Sequence, residues 1–152
     1  MGFFQFRREQ LVNLPIAELW DFISSPQNLK KITPDYMGFD ITSENLPEKM
    51  YQGMIISYKV SPVLGIKTTW VTEITHVKDM EYFVDEQRVG PYTLWHHQHF
   101  LEEKENGTLM TDIVSYAPPF GVLGSIANTI LIKHKLKEIF DYREKTIIKM
   151  FG

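Results

Sequence analysis

Cysteine is absent from the 152 residues of this chain. Its absence excludes disulfide bridges, zinc–thiolate sites and catalysis by a cysteine nucleophile. The chain also lacks an apolar run long enough to span a bilayer. Its first ten residues lack the basic start, apolar centre and cleavage site of a secretory signal. These absences predict a cytoplasmic protein without stable membrane insertion.

Positive charge is not in excess, because 16 Lys and Arg residues stand against 19 Asp and Glu residues, for a net charge of -3. Domains that bind nucleic acid present a dominant basic face, so we predict no nucleic-acid partner. The length suits a single domain over residues 1–152, with a core large enough to fold unaided. Aromatic residues make up 13% of the chain, and aromatic side chains often line apolar pockets.

Hydrophobic periodicity predicts a strand, two short helices, several strands and one long helix, in that order. The first strand covers residues 3–14, and Pro15 then opens a helix that ends by Ser25. A second short helix covers residues 27–32. Further strand patterns occupy residues 39–42, 54–60 and 66–76, and Pro62 and Gly65 mark the turn between the last two.

The last part of the chain, residues 125–150, predicts a long amphipathic helix because it contains neither Gly nor Pro. Its apolar stripe comprises Ile132, Leu136, Ile139, Phe140, Ile147 and Met150. The apolar stretch before it, residues 118–124, is interpreted as a cavity gate, a membrane-touching lip or a packed loop. The fold class is therefore α+β: a curved antiparallel sheet of about six to seven strands, with two short helices, wrapped around a long C-terminal helix.

Residues 82–116 carry the polar side chains on which the functional prediction depends. Gly90-Pro91 and Asn106-Gly107 divide this region into three antiparallel strands. A two-residue turn at Asn106-Gly107 places His99 opposite Val114 and His97 opposite Tyr116. Side chains alternate between the two faces of a sheet, and the covered face then holds Trp95, His97, His99, Met110, Asp112, Val114 and Tyr116.

The face of Asp85 and Gln87 depends on the length of the loop at Gly90-Pro91. An odd number of loop residues places both side chains on the inner face with His97 and Trp95, whereas a two-residue loop pairs them with Leu94 and His96. We favour the odd loop, because it also puts Phe83 and Val89 inside.

Inward-facing histidines and aspartates allow three kinds of chemistry. They can bind a metal ion, act as a His–Asp general base, or form a hydrogen-bonded network in a cavity wall. We favour the network and predict no metal and no cofactor. For an enzyme, the candidate catalytic residues are His97, His99, Asp85 and Asp112. We expect the cluster to face a hydrated cavity, where water can replace a lost partner at little cost in stability.

A pocket between the sheet and the long helix is the predicted ligand site, with a volume of about 300–1,000 Å³. Its predicted ligand-binding residues are Tyr58, Trp70, Asp85, Gln87, Trp95, His97, His99, Asp112, Tyr116, Leu136 and Phe140.

The chain resembles the helix-grip fold of the START-like (SRPBCC) superfamily, and in particular a bacterial group of small ligand-binding SRPBCC proteins. The segments that carry this resemblance are LPIAELWDFISSPQNLKKITP (14–34), YQGMIISYKV (51–60), FVDEQRVGPYTLWHHQHF (83–100), TDIVSY (111–116) and IFDYR (139–143). The resemblance implies a deep cavity between sheet and helix that holds an apolar or aromatic ligand. It implies no catalytic set, because the superfamily shares none.

Three functional hypotheses follow. The first is binding, transport or sensing of a hydrophobic or aromatic small molecule. The second is a polyketide cyclase- or dehydratase-like enzyme that uses a His–Asp base in the same cavity. The third is a regulatory protein-interaction module in which side chains fill the cavity.

Overall fold

The computed structural model describes residues 2–61 and 65–152, and within them the chain forms seven strands. The strands are β1 (Phe4–Val12), β2 (Asp40–Ile41), β3 (Ile55–Val60), β4 (Thr68–Lys78), β5 (Tyr82–Val89), β6 (Leu94–Lys104) and β7 (Gly107–Ala117). The turn predicted at Pro62 lies outside the described residues. Every predicted strand is confirmed, with ends that differ by at most two residues.

The helices follow the predicted order. Helix α1 (Ile16–Ile23) is followed by two short 3₁₀ helices, Pro26–Ile32 and Asp35–Met37. The C-terminal part is one continuous helical segment of 31 residues, made of α2 (Gly121–Ala127), a π-helical turn (Asn128–Ile132) and α3 (Lys133–Phe151). Among the helices of the described ranges, none combines the length and the apolarity needed to cross a bilayer.

All neighbouring strands are antiparallel, in the spatial order β1-β7-β6-β5-β4-β3-β2. The pairing of β4 with β5 shifts between Val71 and Thr72 and again between Ile74 and His76. Such bulges bend a strand and increase its twist. They help to curve the sheet, so that it partly encloses the C-terminal helix.

The register of β6 against β7 differs from the prediction by two residues. His99 lies opposite Asp112, and His97 lies opposite Val114, because Lys104 already pairs with Gly107. The turn is therefore Glu105-Asn106 and not Asn106-Gly107. An even shift keeps every side chain on its predicted face, so the inner face is confirmed although the predicted partners are wrong.

Gly107 ends the β6–β7 turn beside the end of β1. Its φ is +141°, and an added Cβ would lie 2.2 Å from the carbonyl oxygen of Val12. Only a residue without a side chain permits this approach, which brings β7 against β1.

The register of β5 against β6 confirms the odd loop. Asp85 lies opposite His97, and Phe83 lies opposite His99. Asp85 therefore shares the inner face with both histidines, as the sequence predicted. Val89 was expected inside as well, but it is exposed because it is the last residue of β5 and lies at the rim of the sheet.

Helix α3 packs across the sheet through the predicted apolar stripe. Leu136, Phe140 and Ile147 are buried, whereas Met150 is exposed and does not belong to the stripe. On its outer side, α3 is joined to β1 by Arg8, which donates to Asp141 at 2.7 Å and to Glu144 at 2.8 Å.

The helical segment begins at Gly121, four residues before the predicted start. Gly124 explains the difference. A Cβ atom at this position would lie 1.9 Å from the carbonyl oxygen of Pro119, so only glycine lets the helix pack this closely. A glycine-rich sequence favours a loop by local propensity, but here the glycine is needed for packing. Phe120, Val122 and Leu123 are exposed and are not among the residues that line the cavity.

Candidate functional site

A cavity of about 160 Å³ lies between the concave face of the sheet and α3. Strands β3 to β7, the first 3₁₀ helix and α3 all contribute to its wall. The volume is smaller than the predicted range, because large aromatic side chains occupy much of the interior. An engineered cavity of about 150 Å³ is large enough to hold benzene.

One side of the cavity is an aromatic cluster built around Trp70. The ring of Tyr58 stacks on Trp70 with a centroid distance of 6.1 Å, and Trp95 meets Trp70 edge-on at 5.2 Å. Neighbouring strands place these residues, since Tyr58 pairs directly with Trp70 in the sheet. The cluster presents flat apolar surfaces that suit an aromatic or aliphatic ligand.

Two aspartates and two histidines form a polar cluster in the cavity wall, on strands β5, β6 and β7. His97 Nε2 and Asp112 Oδ1 are 2.8 Å apart, and His99 Nε2 and Asp85 Oδ2 are 2.7 Å apart. His99 Nδ1 also lies 3.1 Å from Asp112 Oδ1. The two imidazole rings stack on each other at 3.7 Å. The structure therefore brings together all four residues that were predicted for an enzyme.

His99 is the cation of this cluster. Both of its ring nitrogens face carboxylate oxygens, which only accept hydrogen bonds, so both nitrogens carry a proton. Burial alone would lower the pKa of His99, but the hydrogen bonds to Asp112 and Asp85 outweigh burial and raise it above its ordinary value. The ring of Phe83 stacks on the imidazolium at 3.9 Å and covers its other face.

His97 is the neutral member. Burial and the positive charge of His99 lower the pKa of His97, although its hydrogen bond to Asp112 acts in the opposite direction. Nε2 donates to Asp112, and Nδ1 lies 3.7 Å from Asp85, beyond hydrogen-bond distance. The lone pair of Nδ1 is therefore not used by that carboxylate.

Both carboxylates of the cluster are ionised. Burial would raise the pKa of Asp112, but hydrogen bonds from His97 and His99 hold it far below its ordinary value. Burial acts in the same way on Asp85, and the two histidines again lower the pKa. The side chains of Asp112 and His97 are only 4% and 8% exposed. The sequence analysis expected a hydrated cluster, whereas these groups are largely buried and hydrogen-bond one another.

Arg143 of α3 lines the same cavity, and the sequence analysis assigned it no role. Its guanidinium lies over the ring of Phe140 at 4.8 Å. Burial lowers the pKa of Arg143, while Asp112, Asp85 and Tyr58 act in the opposite direction. A signal was available, because Arg143 follows Leu136 by seven residues and Phe140 by three, which places it on the buried stripe.

Nine of the eleven predicted ligand-binding residues line the cavity: Tyr58, Trp70, Asp85, Trp95, His97, His99, Asp112, Leu136 and Phe140. Gln87 does not, because its side-chain amide donates to Tyr92 O at 2.7 Å and accepts from Tyr92 N–H at 3.0 Å, which closes the β5–β6 turn. Tyr116 does not either, because its hydroxyl donates to Asn128 and its ring packs on Phe4.

Asp85, His97 and His99 also meet the distance requirement of a metal site, since their potential ligand atoms lie within 4.8 Å of one another. Three of the four imidazole nitrogens face carboxylate oxygens at 2.7 to 3.1 Å. These short distances are those of hydrogen bonds between the side chains. The geometry favours the network, and the absence of a metal stays a prediction.

No protein-family model matches the chain, and no curated protein matches its sequence. Solved structures do match. Protein CV1439 from Chromobacterium violaceum superposes with a TM-score of 0.71 at 13% identity, over 97% of this chain and 96% of the other. TTHA0849 from Thermus thermophilus gives a TM-score of 0.66 at 12% identity, over 97% and 99%.

The structure of Ara h 8.0201 gives a TM-score of 0.61 at 14% identity, over 97% of this chain and 99% of the other. These similarities extend over nearly the whole of each chain. Because the sequence identities are low, the similarities show a shared fold and nothing more. The predicted α+β architecture is thus confirmed, and the chain has the helix-grip fold.

Proposed function

We propose that the protein binds a small apolar or aromatic molecule in the cavity between the sheet and α3. The observation that carries this proposal is a cavity of about 160 Å³ with a largely apolar and aromatic wall and one polar cluster. Sites for small molecules combine these features, since the apolar wall supplies affinity and the few polar groups fix orientation. Resemblance to the bacterial small ligand-binding SRPBCC group supports the same function.

The volume limits the size of the ligand in this conformation. About 150 Å³ suffices for benzene, so a molecule with one ring or a short branched chain fits. Binding of a long lipid would require side chains such as Leu136 and Phe140 to move.

Native mass spectrometry of freshly purified protein tests the proposal by detecting a co-purifying small molecule. Ile56→Trp supplies the matched variant, because Ile56 lines the cavity, whereas its neighbour Ile55 lies on the opposite face and is 50% exposed. We expect Ile56→Trp to lose the bound molecule and Ile55→Trp to retain it. Equal retention by two folded variants would place the ligand elsewhere.

A second candidate function is acid–base catalysis on the bound molecule. His97 supports it, because Asp112 accepts its Nε2 proton and the Nδ1 lone pair is not taken by Asp85. A carboxylate that fixes the tautomer of a neutral imidazole is a common arrangement for a general base. It suits removal of a proton from a polyketide-like ligand, as in a cyclase or dehydratase. In that case His97→Gln should bind the ligand unchanged but no longer convert it.

The third hypothesis, a protein-interaction module, requires side chains to fill the interior. A cavity of about 160 Å³ gives that hypothesis no support.

A further inference from the structure

Arg143 brings a positive charge into the cavity wall without a protein partner. Its Nε atom is fully shielded from solvent and has no hydrogen-bond acceptor among the described residues. No carboxylate in the described ranges forms an ion pair with its guanidinium. The guanidinium lies over the ring of Phe140, 4.8 Å from its centroid.

The shielded Nε–H of Arg143 needs an acceptor that the described side chains do not supply. Arg stays protonated in proteins and carries no acceptor, so its N–H groups need an acceptor from elsewhere. A shielded donor without an acceptor is costly, and more so when it is charged. Trp70 shows the same feature, since its Nε1–H is buried and unpartnered within residues 2–61 and 65–152. The cavity wall therefore contains two residues with unused N–H donors.

The charges in the wall already balance. The carboxylates of Asp85 and Asp112 face both ring nitrogens of His99, so its imidazolium and the guanidinium of Arg143 offset them. Nδ1 of His97 has no carboxylate within hydrogen-bond distance and needs no proton. A ligand with a net charge would add an uncompensated charge to a largely apolar wall, which is unfavourable. A neutral acceptor satisfies the donors without this cost.

We propose that the ligand is a neutral molecule of single-ring size that carries a carbonyl-type oxygen, and that this oxygen accepts a hydrogen bond from Arg143. This inference rests on the proposed function and specifies its ligand class. Ketones, esters and amides on an aromatic or alicyclic ring belong to this class, whereas hydrocarbons lack the acceptor and carboxylates carry a charge.

Three probes of similar shape separate these classes: ethylbenzene, acetophenone and benzoate. Their dissociation constants for the full chain should be measured by calorimetric titration at pH 7. We expect acetophenone to bind about tenfold to a hundredfold more tightly than ethylbenzene, as a hydrogen bond to a charged group provides. Benzoate should bind more weakly than acetophenone.

Arg143→Met should reduce the preference for acetophenone over ethylbenzene to about unity, because it removes the donor while keeping an unbranched apolar chain. Arg8→Met is the matched control, since Arg8 contacts α3 on its outer side through Asp141 and Glu144. It should keep the wild-type preference. The wild-type preference is itself a test that does not depend on either variant folding.

Each other result contradicts a specific step. Equal binding of ethylbenzene and acetophenone by the wild type would overturn the acceptor inference while leaving the proposed function standing. Tightest binding of benzoate would overturn the neutral class and indicate an anion site. Failure of all three probes to bind would count against the proposed function together with this inference.

Discussion

Asp112 and His99 face each other directly across strands β6 and β7, and Oδ1 of the aspartate lies 3.1 Å from Nδ1 of the imidazole. The same oxygen accepts from Nε2 of His97. One carboxylate therefore holds both imidazoles in place, and its charge offsets the proton of His99.

Asp112→Asn should destabilise the protein by about 3–5 kcal/mol, the cost of breaking a buried charge pair. The amide keeps the shape of the side chain but removes the charge that His99 needs. Chemical denaturation at pH 7 provides the measurement. Asp21→Asn is the control, because Asp21 is 65% exposed in its pair with Lys49, and it should change the stability by less than about 0.5 kcal/mol. Equal effects of the two substitutions would contradict the network.

The two histidines should give the stability of the protein opposite pH dependences on either side of pH 6.5, their ordinary pKa. The raised pKa of His99 means that its contribution is complete below 6.5 and is lost as pH rises through the folded value. The lowered pKa of His97 means that its contribution is complete above 6.5 and is lost as pH falls through the folded value.

We therefore expect His99→Gln to remove the decline of the free energy of unfolding on the alkaline side. His76→Gln, which replaces an exposed histidine outside the cluster, is the control for the substitution itself. Urea titrations between pH 5 and pH 9 would measure it. An unchanged alkaline decline in His99→Gln would show that another group carries the proton.

Helix α3 offers a direct test of the packing. Ile147 is 1% exposed and its neighbour Ile148 is 52% exposed. Ile147→Ala should cost about 2–5 kcal/mol of stability, whereas Ile148→Ala should cost less than about 0.5 kcal/mol. Thermal and chemical unfolding of the two variants measures the difference. A similar loss of stability in both variants would mean that α3 is rotated about its axis, so that Ile147 does not face the sheet.

Protein purified without added metal should contain no stoichiometric zinc, iron or nickel, and a chelator should not change its melting temperature. The reason is that hydrogen bonds to Asp85 and Asp112 occupy three of the four imidazole nitrogens, which leaves only Nδ1 of His97 for a metal. Elemental analysis measures the content. About one metal per chain, lost in His97→Ala, would reverse this assignment.

Alternation along the strands was enough to predict which face the polar cluster occupies. The shared face of His97 and Asp112 follows from a period of two residues, which even shifts of register preserve, whereas the face of Asp85 also depended on the odd loop at Gly90-Pro91. The partners of each residue do not follow from it, because they depend on the turn. Asn106-Gly107 suggested a two-residue loop, but Gly107 instead pairs with Lys104 as the first residue of β7.

The contribution of Arg143 and the burial of the cluster were harder to predict. Periodicity places Arg143 on the buried stripe of α3, but it does not specify where that stripe packs on a sheet that is distant in sequence. The predicted cavity volume was too large for a related reason. Alternation shows which aromatic residues share a face, but it does not show that Tyr58, Trp70 and Trp95 pack on one another and fill part of the interior.

The π-helical turn at Asn128–Ile132 rotates α2 about the helix axis relative to α3. A π turn contains one residue more than an α turn, so the segments on its two sides are offset by about 100° around the helix axis. Removing one residue there, such as Thr129, would restore an uninterrupted α-helical repeat. With α3 fixed by the sheet, α2 would then rotate about the axis, and Phe120, Val122 and Leu123 would point in a new direction. The length of this single turn thus determines the direction in which these three exposed apolar side chains point.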